Sequence, residues 1–155
     1  MYLDLLTALE SSWLGHTGRH SAWLYMIANL LHVLGAAFVV GGIAVFDLKV
    51  LAERGKHAWQ VGRYAIPLAA VGLALQIPTG TLLLAVEARA LGVNPAFYVK
   101  LASIALGLVN IALFHLRFGA ALRAGALPPE ARAYALVSLI AWIIALLAGR
   151  MIAYL

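Results

Sequence analysis

Ala22 to Phe46 is a run of 25 residues without one charged side chain. A helix through it, at 1.5 Å per residue, is about 37 Å long, enough to cross a hydrocarbon core of about 30 Å with some tilt. Three similar runs follow: Tyr64–Val86 without charge, Ala96–Phe118 with Lys100 and Arg117 near its ends, and Ala133–Leu155 with Arg150 close to the C-terminus. In lipid the backbone must satisfy its own hydrogen bonds, and no strand-like alternation is present, so each run reads as a helix. Composition agrees, with 65% apolar and 11% charged residues in 155. A soluble domain carries roughly 45–50% and about 25%, and a chain this short cannot bury that surplus in a water-facing core. The fold class is therefore all-α, a polytopic four-transmembrane-helix bundle forming a single membrane domain over residues 1–155. A soluble enzyme, a disordered tail and a nucleic-acid-binding domain are excluded.

The connections carry most of the charge. Asp47 to Arg63 holds Lys49, Arg54, Lys56 and Arg63 around Gly55, Glu87 to Pro95 closes with Asn94-Pro95, and Arg123 to Arg132 contains Gly125 and Pro128-Pro129. These are turn and helix-start signals. Seven of the eleven Lys and Arg residues fall on the side of Lys49 and Arg123, while Arg19, Arg89, Lys100 and Arg150 fall on the other. The positive-inside rule then expects the side of the seven to be cytoplasmic and both termini of the multi-pass chain outside, which is periplasmic for a bacterial inner membrane. The absence of cysteine excludes disulfides, thiolate metal sites and a Cys nucleophile.

Ahead of the first span, Tyr2, Leu5, Leu6, Leu9 and Trp13 recur at helical spacing within residues 1–14. Asp4 and Glu10 and the lack of a basic start argue against a secretory signal. An interfacial helix is expected instead. Aromatic side chains near span ends, among them Trp23, Tyr64, Tyr98 and Tyr154, form the belt such proteins place at the headgroups.

Polar residues inside the spans carry what functional information there is. The first span has Asn29 and His32, the second Gln76, Thr79 and Thr81 around Pro78, the third Ser103, Asn110 and His115, and the fourth Ser138, Trp142 and Arg150. Interhelical hydrogen bonding accounts for Gln76, Thr79, Asn110 and Ser138, and the carbonyl freed by Pro78 can accept from Thr79 or Thr81. Gly35, Ala37, Gly41 and Gly42 offer a small-residue face for close helix contact.

His32 lies ten residues into a charge-free span, and His115 lies on the next span of the same direction. Two histidines on facing helices can supply both axial ligands of a b-type haem. On that reading His32 and His115 are the metal ligands, and Lys100 and Arg150 pair with the propionates or snorkel to the headgroups. Depth counts against the pairing. His32 sits about 22 Å from the inner end of its span and His115 about 12 Å from the end at Arg123. The alternative puts His115 with Asp47 and Arg117 in an inner polar cluster.

The remaining histidines say less. His16 and His20 have i,i+4 ligand spacing, but Gly15 and Gly18 argue for a solvated loop, and His57 lies among basic loop residues. None of the six acids is mid-span, which counts against a proton-driven transporter.

Several stretches taken together resemble a family of uncharacterised bacterial four-helix membrane proteins, DUF6644. They are Leu31-His32-Val33-Leu34-Gly35 leading to Phe46-Asp47-Leu48-Lys49, Thr79-Gly80, Asn94 through Lys100, Asn110 with Phe114-His115, and Ser138-Leu139 through Gly149-Arg150-Met151-Ile152-Ala153-Tyr154. The resemblance spans nearly the whole chain but implies no settled activity. The chain departs from the family where an acid is usual three residues before His32, here Asn29, and where a proline is common, here Met26. Bis-histidine cytochromes of the b561 type are similar at the level of fold alone. The leading expectation is thus a membrane protein binding haem b and passing electrons to a quinone or a redox protein. The alternative is a non-catalytic subunit or anchor held by a partner subunit or a homo-oligomer, with a small-solute or ion transporter ranked last.

Overall fold

In the computed structural model, residues 2–52 and 57–155 are described. Helices α1 (Tyr2–Glu10) and α2 (Trp13–His20) precede the first long helix, α3 (Ala22–Ala52), which turns into α4 (Ala58–Val86). A single short helix, α5 (Ala88–Gly92), leads to α6 (Pro95–Arg123) and α7 (Ala131–Met151). Four of these helices are long and apolar enough to cross a membrane, and no strand occurs among the described residues. Arg54, Gly55 and Lys56, used above for the first connection and the charge count, lie outside the described residues.

Local chemistry explains the boundaries. The Asn94 side chain accepts the Ala96 N–H, and Pro95 opens α6, where its missing N–H costs nothing. Gly125 follows α6 with φ of +69°, a conformation a side chain resists, and Pro128-Pro129 keeps the chain extended before α7. The helices exceed the uncharged runs at the end bearing Asp47, since α3 continues six residues beyond Phe46. Conversely, α7 stops at Met151, short of the expected Leu155.

Packing runs α4 against α3, α3 against α7, and α7 against α6, whereas α4 and α6 barely touch. The α3–α4 pair is the closest because glycine faces glycine: a Cβ on Gly72 would lie 2.6 Å from the Gly35 carbonyl oxygen. Gly42 fits against Ala65 in the same way, but Gly41 meets nothing within 4 Å. The contact is therefore narrower than the expected small-residue face. Toward the α3–α4 connection the core is aromatic, with Phe46 edge-on to Phe114 and Phe118 edge-on to Tyr134. Leu30, Leu116, Leu147 and many other large apolar side chains point outward, as lipid contact requires.

The leader corrects one expectation. Rather than a single helix over residues 1–14 followed by a loop, the chain breaks at Ser11-Ser12 and winds α2 through His16 and His20. The glycines expected to prevent that helix are what let it dock. A Cβ on Gly15 would meet the Ala85 carbonyl oxygen at 2.6 Å, and one on Gly18 would meet the Val86 side chain at 2.4 Å. Ser12 caps α2 by accepting the Gly15 N–H, offsetting part of the glycine penalty. Glu10 pairs with Arg89 on α5 and with Arg19 on α2, and Arg19 also donates to the Val86 carbonyl oxygen at 3.1 Å. The backbone N–H of Arg89 contributes most to holding Glu10 below the ordinary carboxylate value of 4.5, against partial desolvation and with help from the two guanidinium charges.

Candidate functional site

Two polar clusters sit inside the bundle, one near each end. Nearer the N-terminal helices, α3 presents His32 to α4 and α6. The Thr79 hydroxyl donates to the Leu75 carbonyl oxygen at 2.6 Å, so its single proton is spent and it accepts from His32 Nδ1 at 3.0 Å. That fixes the tautomer with the lone pair on Nε2, to which Lys100 Nζ donates at 3.5 Å, a long and weak bond. Gln76 Nε2 donates to the His32 carbonyl oxygen at 2.7 Å. Each imidazole nitrogen thus has a partner. Neither threonine reaches the carbonyl of residue 74 that Pro78 leaves free, since Thr81 bonds to Ile77 instead.

The other cluster lies toward the α3–α4 connection. Asp47 is 3% exposed and Trp142 5% exposed, and both line a cavity of about 180 Å³ walled by α3, α4, α6 and α7. The Ser138 side chain faces the Asp47 carboxyl. Asn110 spends its amide on the Tyr134 carbonyl oxygen at 3.0 Å. Asp47 Oδ2 and Trp142 Nε1 are buried with no hydrogen-bond partner, a state that costs about 1–3 kcal/mol for each group. Otherwise the walls are apolar, chiefly Ile43, Phe46, Ile111 and Phe114. Exposed Ala70 on α4 and exposed Leu108 and His115 on α6 also belong to the lining, which places the mouth on the side where α4 and α6 barely touch. That mouth opens sideways toward lipid.

The expected site residues are thus divided between the two clusters. His32 touches Lys100, whereas His115 is fifteen residues further along α6, about 22 Å down its axis. The depth objection was about half that size. His115 Nδ1 is bonded to the Ile111 carbonyl oxygen at 2.9 Å and its ring is exposed. The two histidines cannot face one iron from opposite sides, so the residues do not fit a bis-histidine haem. His115 instead shares the cavity lining with Asp47, as in the alternative reading, while Arg117 turns away over the Phe118 ring. Lys100 and Arg150 do lie near the same end: the Lys100 stem passes Gly149, but Arg150 donates to the Tyr154 hydroxyl at 2.6 Å. His16 and His20 stack with centroids 3.9 Å apart. Among the described residues no three His, Asp or Glu gather to hold a metal ion.

Sequence reasoning missed that Asp47 and Trp142 line one cavity. The signal was available in part, because Ser138 and Trp142 are four residues apart and share a helical face. Nothing in the sequence shows that α4 and α6 diverge. What fold and sites define is a small integral membrane protein of four apolar helices. No family model, no curated protein and no solved structure matches the chain, so the DUF6644 resemblance rests on the quoted stretches alone.

Proposed function

We propose that the protein binds a small, largely apolar molecule dissolved in the bilayer, admitted sideways between α4 and α6. One observation carries this reading: a largely apolar cavity of about 180 Å³ lined by the four long helices and open between α4 and α6, with two residues of its lining, Asp47 and Trp142, each keeping a buried polar atom without a partner. Native interiors rarely leave such atoms orphaned. An apolar engineered cavity of about 150 Å³ admits benzene, so the space matches a single ring or its equivalent. The positive-inside arithmetic puts the Asp47 end in the cytoplasmic half of the membrane. A haem-based electron carrier is not part of this proposal, because His32 and His115 are about 22 Å apart in depth.

Bromobenzene, which partitions into lipid and quenches indole fluorescence, tests it. With Trp13, Trp23 and Trp59 replaced by phenylalanine, Trp142 is the only indole. Saturable quenching of this buried indole is expected, and Ala70→Phe at the exposed mouth should abolish it. Quenching that rises only linearly with bromobenzene and ignores Ala70→Phe contradicts the reading.

A further inference from the structure

The two leader histidines belong to neither cluster, and the fold gives them the helix that their spacing needs. His16 and His20 lie on successive turns of one face of α2, and both are exposed. The other face is fixed. Gly15 and Gly18 are buried against Ala85 and Val86, and Arg19 ties the helix to Glu10 and to the Val86 carbonyl oxygen. An eight-residue helix does not hold its shape alone in water, so this docking is what keeps the two imidazoles together. Their rings stack with centroids 3.9 Å apart and planes inclined by 21°. His20 Nδ1 lies 2.8 Å from the His16 carbonyl oxygen. A carbonyl only accepts, so Nδ1 carries the proton and Nε2 keeps a free lone pair. Histidines that bind metal ions have this arrangement, with the second ring nitrogen donating to a backbone carbonyl or a carboxylate.

We infer that His16 and His20 form a two-histidine site for a divalent first-row transition-metal ion of the Zn²⁺ or Cu²⁺ type. Imidazole suits these ions, whereas Mg²⁺ and Ca²⁺ take oxygen ligands. The Glu10 carboxylate is committed to Arg89 and Arg19, so α2 supplies two nitrogens and water completes the shell. Two Zn–N bonds at a tetrahedral angle set their nitrogens about 3.4 Å apart. Ring centroids 3.9 Å apart are close to that spacing. The His16 ring closes the site by turning about its Cβ–Cγ bond, while His20 keeps its bond to the His16 carbonyl oxygen. Structural zinc centres take four protein ligands, so an ion held by two exchanges with the solution. Its effect on the fold is local, because clamping residues 16 and 20 across one turn steadies α2 against α4.

The metal-free full chain in phosphatidylcholine nanodiscs, titrated with Zn²⁺, tests this by calorimetry and by backbone hydrogen exchange. One Zn²⁺ per chain is expected. Exchange in residues 13–20 should slow by about 100-fold when free Zn²⁺ stands at about 100 times its Kd, and Mg²⁺ should leave it unchanged. His16→Ala and His20→Ala should each weaken binding by about 100-fold, the gain that a second linked contact brings. His20→Ala combined with Thr17→His keeps two histidines but turns them to different faces, and should bind no better than His20→Ala alone. Protection of the four long helices, measured in the same experiment, shows that each variant is folded. Equal Zn²⁺ affinity in wild type and His20→Ala overturns the site, as does full recovery of binding by Thr17→His. Binding that leaves exchange in residues 13–20 unslowed, equal protection by Mg²⁺, or no binding at all overturns it too.

Discussion

The bundle handles polar groups in two opposite ways within one thickness of membrane. Around His32, each imidazole nitrogen has a partner, the Thr79 proton is spent on a backbone carbonyl, and Gln76 closes onto the α3 backbone. Around Asp47, the helices separate and two polar atoms are left buried without partners. Glycine is the physical difference. Gly35 and Gly72 bring α3 and α4 into backbone contact just below His32, whereas no corresponding pair brings α4 to α6. A satisfied network in lipid is structural, because any rearrangement would expose a bare donor or acceptor. An unsatisfied one lowers its free energy when something arrives to complete it.

Substitutions can break that contrast. The largest effect is expected from Gly72→Val, whose side chain would run into the Gly35 carbonyl and the Val39 N–H. Prising α3 from α4 should cost about 3 kcal/mol, read as loss of the folded form in detergent unfolding. Thr79→Val keeps the shape but removes the acceptor for His32 Nδ1, and should cost about 1–2 kcal/mol in the same assay. Asp47→Leu should have the opposite sign, raising stability by about 1 kcal/mol in delipidated detergent, since removing the orphaned buried Oδ2 outweighs the lost contact to Ser138. If both substitutions destabilise equally, the two clusters are not different in kind. His115→Ala, at an exposed position, should change stability by less than about 0.5 kcal/mol.

Acid offers the mildest probe of the leader, where Glu10 lies outside both clusters. Glu10 titrates below its ordinary value of 4.5 in the fold, so its contribution is fully present above that pH and disappears as pH falls through the lower folded value. Acidification should loosen α1 from α5 first, seen as faster backbone hydrogen exchange in residues 2–10, with the four long helices still protected.

Much of the architecture was legible in the sequence, because lipid leaves a helix as the only economical state for a long uncharged run. The spans came directly from charge-free length, and Asn94-Pro95 marked a boundary correctly. The leader was harder to read. Gly15 and Gly18 look like helix breakers, and only the docked structure shows that they are contact points for Ala85 and Val86. His32 stood out by depth alone, but its partner was misjudged, since the likeness of two histidines says nothing about their level in the membrane. Lys100, first assigned to haem propionates, belongs beside His32. The Asp47 cavity was beyond reach because it arises from the divergence of two helices, a tertiary property with no local sequence signature.

On the proposed reading, the cavity at Asp47 is filled by a molecule from the bilayer. Native mass spectrometry of the protein released gently from its own membrane tests this most directly. The expected result is a one-to-one complex with a single small molecule, lost in Asp47→Leu although that variant remains folded. A bare wild-type chain, or the same adduct on wild type and Asp47→Leu alike, would contradict it.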